Sequence, residues 1–157
     1  MAFLIKTLGQ DPALLASLAE MLQEMQEHYA VPCPPSDDIL QGLMERPEGT
    51  EIIVMAEETF VIGFAAYAAL YPGPHLQPGL FLKELYVRRQ YRGRGIGHEL
   101  LTHLARLAQD RGLSRIDWTA DAKDERLLQF YDSIGGQQKP DKVFYRLDKD
   151  ALKRLAT

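Results

Sequence analysis

The chain has 157 residues, 46% hydrophobic and 25% charged, with a net charge of −4. Those numbers suit one soluble globular domain over residues 1–157, large enough for a substantial core, and the acidity argues against a nucleic-acid partner. No apolar run approaches a membrane span, and the opening MAFLIKTLGQD is too short and polar for a secretion signal. A single cysteine, Cys33, excludes an intramolecular disulfide and suits a reducing cytoplasm.

Ala2 to Leu8 reads as a short strand. From Asp11, a candidate N-cap followed by Pro12, the residues Leu14, Leu15, Leu18, Leu22 and Met25 recur at helical spacing. The proline-rich stretch Tyr29–Pro35 cannot continue that helix. Ser36 or Asp37 is read as the cap of a second helix reaching about Glu45. Glu51–Glu57 and Phe60–Leu70 are apolar and β-branched, separated by acidic residues, and predict an antiparallel hairpin. Tyr71–Gly79 is a loop by its proline and glycine content. Leu80–Val87 predicts a strand that feeds a glycine-rich turn. The next helix buries Leu100, Leu101, Leu104, Leu107 and Ala108 and ends at Gly112. Arg115–Ala120 predicts a strand, Asp124 to about Ile134 a helix, Val143–Asp148 a last strand, and Ala151–Ala156 a short helix. This order implies a mixed α/β domain around one sheet.

The run KELYVRRQYRGRGIG, Lys83 to Gly97, is the most charged feature. Lys83, Arg88, Arg89, Arg92 and Arg94 oppose only Glu84. Amides of a glycine-rich turn can converge into a concave anion site, and the first N–H groups of the following helix point the same way. Arg92 and Arg94 add forked, charged donors. This pattern suits a phosphate-bearing ligand. An ordinary strand-to-helix connection is the alternative.

The order strand, Arg92-x-x-Gly95-x-Gly97, helix resembles the acyl-CoA signature of the GNAT superfamily of N-acetyltransferases. Asp124-Glu125-Arg126-Leu127-Leu128-Gln129-Phe130-Tyr131, followed by Ile134-Gly135-Gly136, resembles that family's second landmark, with Asp where the family usually has Asn. Leu80 to Gly97 is most similar to the diamine and polyamine branch, including enzymes of thialysine type, although Lys83 stands where that branch often has an acid. The resemblance implies a GNAT-like fold, a mixed central sheet that splays at the cofactor and is flanked by helices. It implies acetyl-CoA as cosubstrate. Cofactor contacts would come from the backbone of Leu85, Tyr86 and Val87, from Arg92, Gly93, Arg94, Gly95, Ile96, Gly97 and His98, and from Asp124 and Tyr131. A homodimer is common in such families.

Acetyl transfer to an amine requires an unprotonated nitrogen, stabilisation of the thioester oxygen, and a proton for the leaving thiolate. Glu84, in an apolar strand, is the candidate base, directly or through water; an ion-pair partner or a carboxylate that attracts a cationic amine are the other readings. Tyr131 is the candidate proton donor, against an amphipathic core tyrosine with a satisfied hydroxyl. His98 and His103 do not share a helix face, so no metal site is expected. Residues 1–60 carry eleven acidic side chains and only Lys6 and Arg46 as cations. That field would draw in a cationic amine, or it is a solvated face. The expected activity is acetyl transfer from acetyl-CoA to a small cationic amine, a diamine, polyamine or lysine-like compound. The alternatives are a protein or peptide acetyltransferase and a non-catalytic CoA-binding sensor.

Overall fold

The computed structural model describes residues 2–157. Its order of regular elements is β1 (Leu4–Thr7), α1 (Pro12–His28), α2 (Ser36–Met44), β2 (Glu51–Glu57), β3 (Phe60–Leu70), β4 (Gly79–Val87), α3 (Ile96–Asp110), β5 (Ile116–Trp118), α4 (Glu125–Ser133) and α5 (Lys149–Leu155). Two compact units result, one ending at Thr119 and one spanning Ala120–Thr157.

The first unit holds a five-stranded sheet in the order β1-β2-β3-β4-β5. The first four strands are an antiparallel meander, and β5 joins β4 in parallel. A parallel neighbour needs a crossover, which α3 supplies. Alternation along the strands divides the core between two faces. Ile52, Val54, Ala56, Phe64 and Tyr86 join Leu14, Leu15, Leu18, Met21 and Met25 of α1 and Leu43 of α2 in one buried cluster. On the opposite face α3 lies so close that a Cβ at Gly63 would stand 3.0 Å from Ile96 and 3.3 Å from Leu100. Leu18, Met21, Ile53, Ile62, Leu100 and Leu104 are fully enclosed. At about 1.5–3 kcal/mol for each such side chain, they outweigh the exposed ion pairs as the source of stability.

The helix ends follow local chemistry. Asp11 caps α1 through bonds from the Ala13 and Leu14 amides at 2.9 and 3.4 Å. The far end of α1 closes with Ala30 in the left-handed region at φ 55, the Ala30 amide bonding the Glu27 carbonyl and the Val31 amide the Gln26 carbonyl. That closure precedes the prolines, so the helix stops before they can break it. Gly112, at φ 71, ends α3 in the same way. The cap of α2 differs from expectation: Pro35 takes that position and Ser36 and Asp37 are already helical.

The second unit has α4, capped by Asp124, and α5. Gly135, at φ 96, terminates α4, with the Gly136 amide on the Tyr131 carbonyl at 3.0 Å. The strand expected at Val143–Asp148 does not form; the segment has no ladder, and Val143, Phe144 and Tyr145 are exposed. Strand propensity expresses itself only where a neighbouring strand takes the backbone bonds.

Candidate functional site

β4 changes character halfway. Its register with β3 runs Tyr67↔Leu82 and then Ala66↔Glu84, so Lys83 is an extra residue, a bulge. The extra residue reverses which face each later side chain meets. Leu80 and Leu82 share the face of Tyr67, whereas Glu84 and Tyr86 pair with Ala66 and Phe64 and turn toward α1. β5 pairs only with Leu80, Phe81 and Leu82. Among the described residues, β4 from Lys83 to Val87 therefore has β3 on one side and no strand of the sheet on the other. This is the splay that the resemblance implied, and Leu85, Tyr86 and Val87 lie on it.

Glu84 is the carboxylate of this segment. Its side chain is 31% exposed, and the Lys83 ammonium stands 3.8 Å away. Burial pushes its carboxyl above the ordinary carboxylate range, and the Lys83 charge opposes that only in part. A carboxylate that binds its proton more tightly than usual suits a base working near neutral pH.

The run of cations separates into different roles. Arg88 is buried, at 5% exposure. Its guanidinium donates to the Val61 carbonyl at 2.6 Å, the Ser17 carbonyl at 3.2 Å and the Glu20 carboxylate at 3.2 Å, and lies 4.4 Å from the Phe60 ring centre. It ties β3 to α1 and is withdrawn from the turn, which corrects the count of positive charges offered there. Arg92 and Arg94 remain exposed. Each rests on an aromatic ring, Arg92 5.0 Å from the Tyr86 centroid and Arg94 5.1 Å from that of Tyr91. Arg92 is further fixed by its Nε–H on the Val87 carbonyl at 3.1 Å.

Gly93 and Gly95 both have φ of 78, in the left-handed region. A Cβ at either would meet nothing within 4 Å. Glycine takes that backbone conformation without strain, and the space above it is open to a ligand. Gly95 is the N-cap of α3, and the first helical bond runs from the Glu99 amide to its carbonyl at 3.0 Å. The amides of Ile96, Gly97 and His98 precede that ladder, as an anion site at a helix start requires. Ile96 anchors the helix in the core. His98 is exposed and lines a cleft of about 360 Å³ with Ile5, Glu99, Thr102, His103 and Arg106. Among the described residues no group of three or more His, Cys, Asp or Glu side chains is placed to hold a metal, and no helix is long and apolar enough to cross a membrane.

In the second unit, Asp124 commits one carboxylate oxygen to the Leu127 amide at 3.1 Å. Tyr131 is half-buried on α4, with its ring 5.4 Å from that of Phe130.

Sequence reasoning missed Glu24. Its Oε2 accepts the Tyr86 hydroxyl at 2.7 Å and the Arg89 amide at 3.1 Å. Burial and the bond to Glu24 push the Tyr86 hydroxyl up to about 12. The available signal was the spacing of Ser17, Glu20 and Glu24 along one side of α1, beside the apolar stripe.

Comparisons with known proteins give the family and the fold. The model of the Acetyltransferase (GNAT) family matches residues 15–135. A thialysine N-epsilon-acetyltransferase of Caenorhabditis elegans is 30% identical over 145 residues, 90% of this chain and 78% of that protein. An L-ornithine N5-acetyltransferase of Arabidopsis thaliana is 29% identical over 98 residues, 62% of this chain, and the alignment spans only 43% of that enzyme. An integron cassette protein from the mobile metagenome of V. cholerae has a structure that superposes with a TM-score of 0.90 at 31% identity, covering 99% of this chain and 98% of that one. The open end of β4, the left-handed glycine turn and the match over residues 15–135 lead to one conclusion: the chain belongs to the GNAT acetyltransferase family.

Proposed function

We propose that the chain is an acetyl-CoA-dependent N-acetyltransferase whose acceptor is the primary amine of a small cationic molecule, a lysine- or ornithine-like compound, a diamine or a polyamine. The observation that carries the reading is the free end of β4 running into the Gly93–Gly95 turn. A pantetheine arm added beside Leu85, Tyr86 and Val87 would meet a strand edge that β5 does not pair, on which Arg92 already takes the Val87 carbonyl. The pyrophosphate would meet Arg92, Arg94 and the opening amides of α3. His98, Gly97 and Ile96 complete that turn, and Asp124 holds the start of α4.

The amine nitrogen attacks the thioester carbon, and a new C–N bond forms as the C–S bond breaks. Glu84 takes the proton lost by the ammonium, directly or through water. Backbone N–H groups of the β4 end meet the charge developing on the carbonyl oxygen. Tyr131 gives its proton to the departing thiolate and regains one from the second proton that the acylated nitrogen loses, directly or through water. No bond to the protein is needed at any step. Names of relatives support the acceptor class: one acts on thialysine and one on L-ornithine. The acidic first third supports it in part. Glu20, Glu24 and Glu51 are engaged by Arg88, by Tyr86 with the Arg89 amide, and by Arg111, so the field comes from the remaining acids and Glu84.

The test is thiol release from acetyl-CoA against a panel of lysine analogues, ornithine, polyamines, aminoglycosides and peptides. Small cationic amines are expected to react fastest, with rates that fall as salt rises. Faster turnover of peptide N-termini than of every small amine would replace the acceptor and keep the chemistry. CoA binding without turnover of any amine would favour a sensor.

A further inference from the structure

Glu24 is a half-buried acid on α1 that the proposed chemistry does not use. One of its oxygens accepts both the Tyr86 hydroxyl, at 2.7 Å, and the Arg89 amide, at 3.1 Å. Arg89 opens a single 3-10 turn, Arg89–Tyr91, and the Arg92 amide closes back on the Arg89 carbonyl at 3.4 Å. Arg92 in turn lies over the ring of Tyr86. One carboxylate thus fixes both the ring on which Arg92 rests and the peptide from which the backbone enters the glycine turn. Burial alone would raise the Glu24 carboxyl; the Tyr86 hydroxyl, the Arg89 amide and the charges of Arg88 and Arg89 outweigh it and hold the group below its ordinary range. It is therefore ionised, and charged acceptors make the stronger bonds.

The tie is local to the turn. Arg88, one residue earlier, already joins β3 to α1 through Val61, Ser17 and Glu20. The helix is thus already held on the sheet at Arg88. What the Glu24 tie adds is control of the residue after the strand, where the chain turns toward Arg92.

We propose that Glu24 is a positioning residue for the anion-binding turn: held by the Tyr86 hydroxyl, its carboxylate fixes the Arg89 amide and so sets Arg92 and the glycine turn for the phosphates of the cofactor. This rests on the reading of that turn as the CoA site. A helix-to-sheet tie alone would change stability and leave the CoA affinity of the folded protein unchanged.

Calorimetric titration of CoA into the full chain, alongside acetyl-transfer kinetics, tests this with Glu24→Ala, Glu24→Gln and Tyr86→Phe. Glu24→Ala should weaken CoA by about tenfold or more, the scale of one charge-assisted hydrogen bond. KM for acetyl-CoA should rise in step, while kcat at saturation falls much less. Glu24→Gln keeps an oxygen for the Arg89 amide and should return affinity to within about threefold of wild type. Tyr86→Phe keeps the ring under Arg92 but frees the carboxylate, and should fall between those two. A cooperatively melting Glu24→Ala protein with wild-type CoA affinity overturns the proposal, as does Glu24→Gln as weak as Glu24→Ala. If Glu24→Ala does not fold, unchanged affinity in Tyr86→Phe overturns it. Failure of the wild-type protein to bind CoA would instead overturn the reading of the turn itself, a distinct outcome.

Discussion

Replacing Gly95 by Asp and, in parallel, by Asn isolates charge at the anion turn. Gly95 sits at φ 78, and a Cβ added there would have nothing within 4 Å, so neither side chain meets a steric barrier. Asn and Asp tolerate the left-handed region best among non-glycine residues, so each costs about 1 kcal/mol of backbone energy and the two costs cancel in the comparison. What differs is one negative charge at the start of α3. That charge favours the helix itself, by about 0.3–1 kcal/mol. It opposes the pyrophosphate: a pair of unit charges at 4 Å interacts by about 1 kcal/mol even in bulk water. Two phosphate charges then give about 2 kcal/mol, roughly a thirtyfold loss of affinity. Gly95→Asp should melt no lower than Gly95→Asn while binding CoA roughly thirtyfold more weakly. Differential scanning calorimetry and isothermal titration at one fixed ionic strength supply both numbers. Equal CoA affinity in the two folded variants would refute the assignment of the phosphates to this turn.

Glu84→Gln should lower kcat by about a hundredfold, the scale of a general base, and abolish the rise of rate with pH. Because burial raises the folded carboxyl of Glu84, its stabilising contribution is complete in acid and is lost as pH climbs through that raised value. Glu84→Gln should therefore be more stable than wild type at neutral pH, with the difference closing in acid; thermal melts across pH check the sign. Tyr131→Phe should leave acetyl-CoA binding intact and cut the chemical step by roughly ten- to a thousandfold, and wild-type turnover when chemistry limits the rate would remove Tyr131 from the mechanism. Arg88→Ala should cost about 2–3 kcal/mol, because it takes the side-chain donor from the Val61 carbonyl and the guanidinium from the Phe60 ring. Glu20→Ala, at the 66% exposed end of the same ion pair, should cost under about 1 kcal/mol in urea melts.

Patterns that depend on near neighbours were legible in the chain. The hairpin Glu51–Glu57 and Phe60–Leu70 forms at the expected residues, since Ile52–Ala56 and Phe60–Leu70 are apolar runs on either side of an acidic turn. Gly112 ends α3, because only the backbone conformation of that residue is involved. Features set by distant partners were not legible. Nothing in the order Arg88-Arg89 says that the first is buried against α1 and the second is not. The bulge at Lys83 turns Glu84 and Tyr86 toward α1, and a two-residue period cannot announce its own interruption. The last expected strand, Val143–Asp148, had the right side chains and no ladder. At the site, the left-handed glycines and the splay beside β4 follow the motif closely. The Glu24 tie, 62 residues from Tyr86 in the chain, does not.

Acetyl-CoA labelled in the acetyl carbon tests the central claim most directly. The protein is mixed with that donor and a lysine analogue, and the label is followed by mass spectrometry alongside the appearance of free thiol. Direct transfer predicts label on the amine nitrogen, one thiol released for each acetylated amine, and none on the protein, including the exposed Cys33. Thiol release without acetylated amine, or label held on the protein before the amine is added, would contradict it.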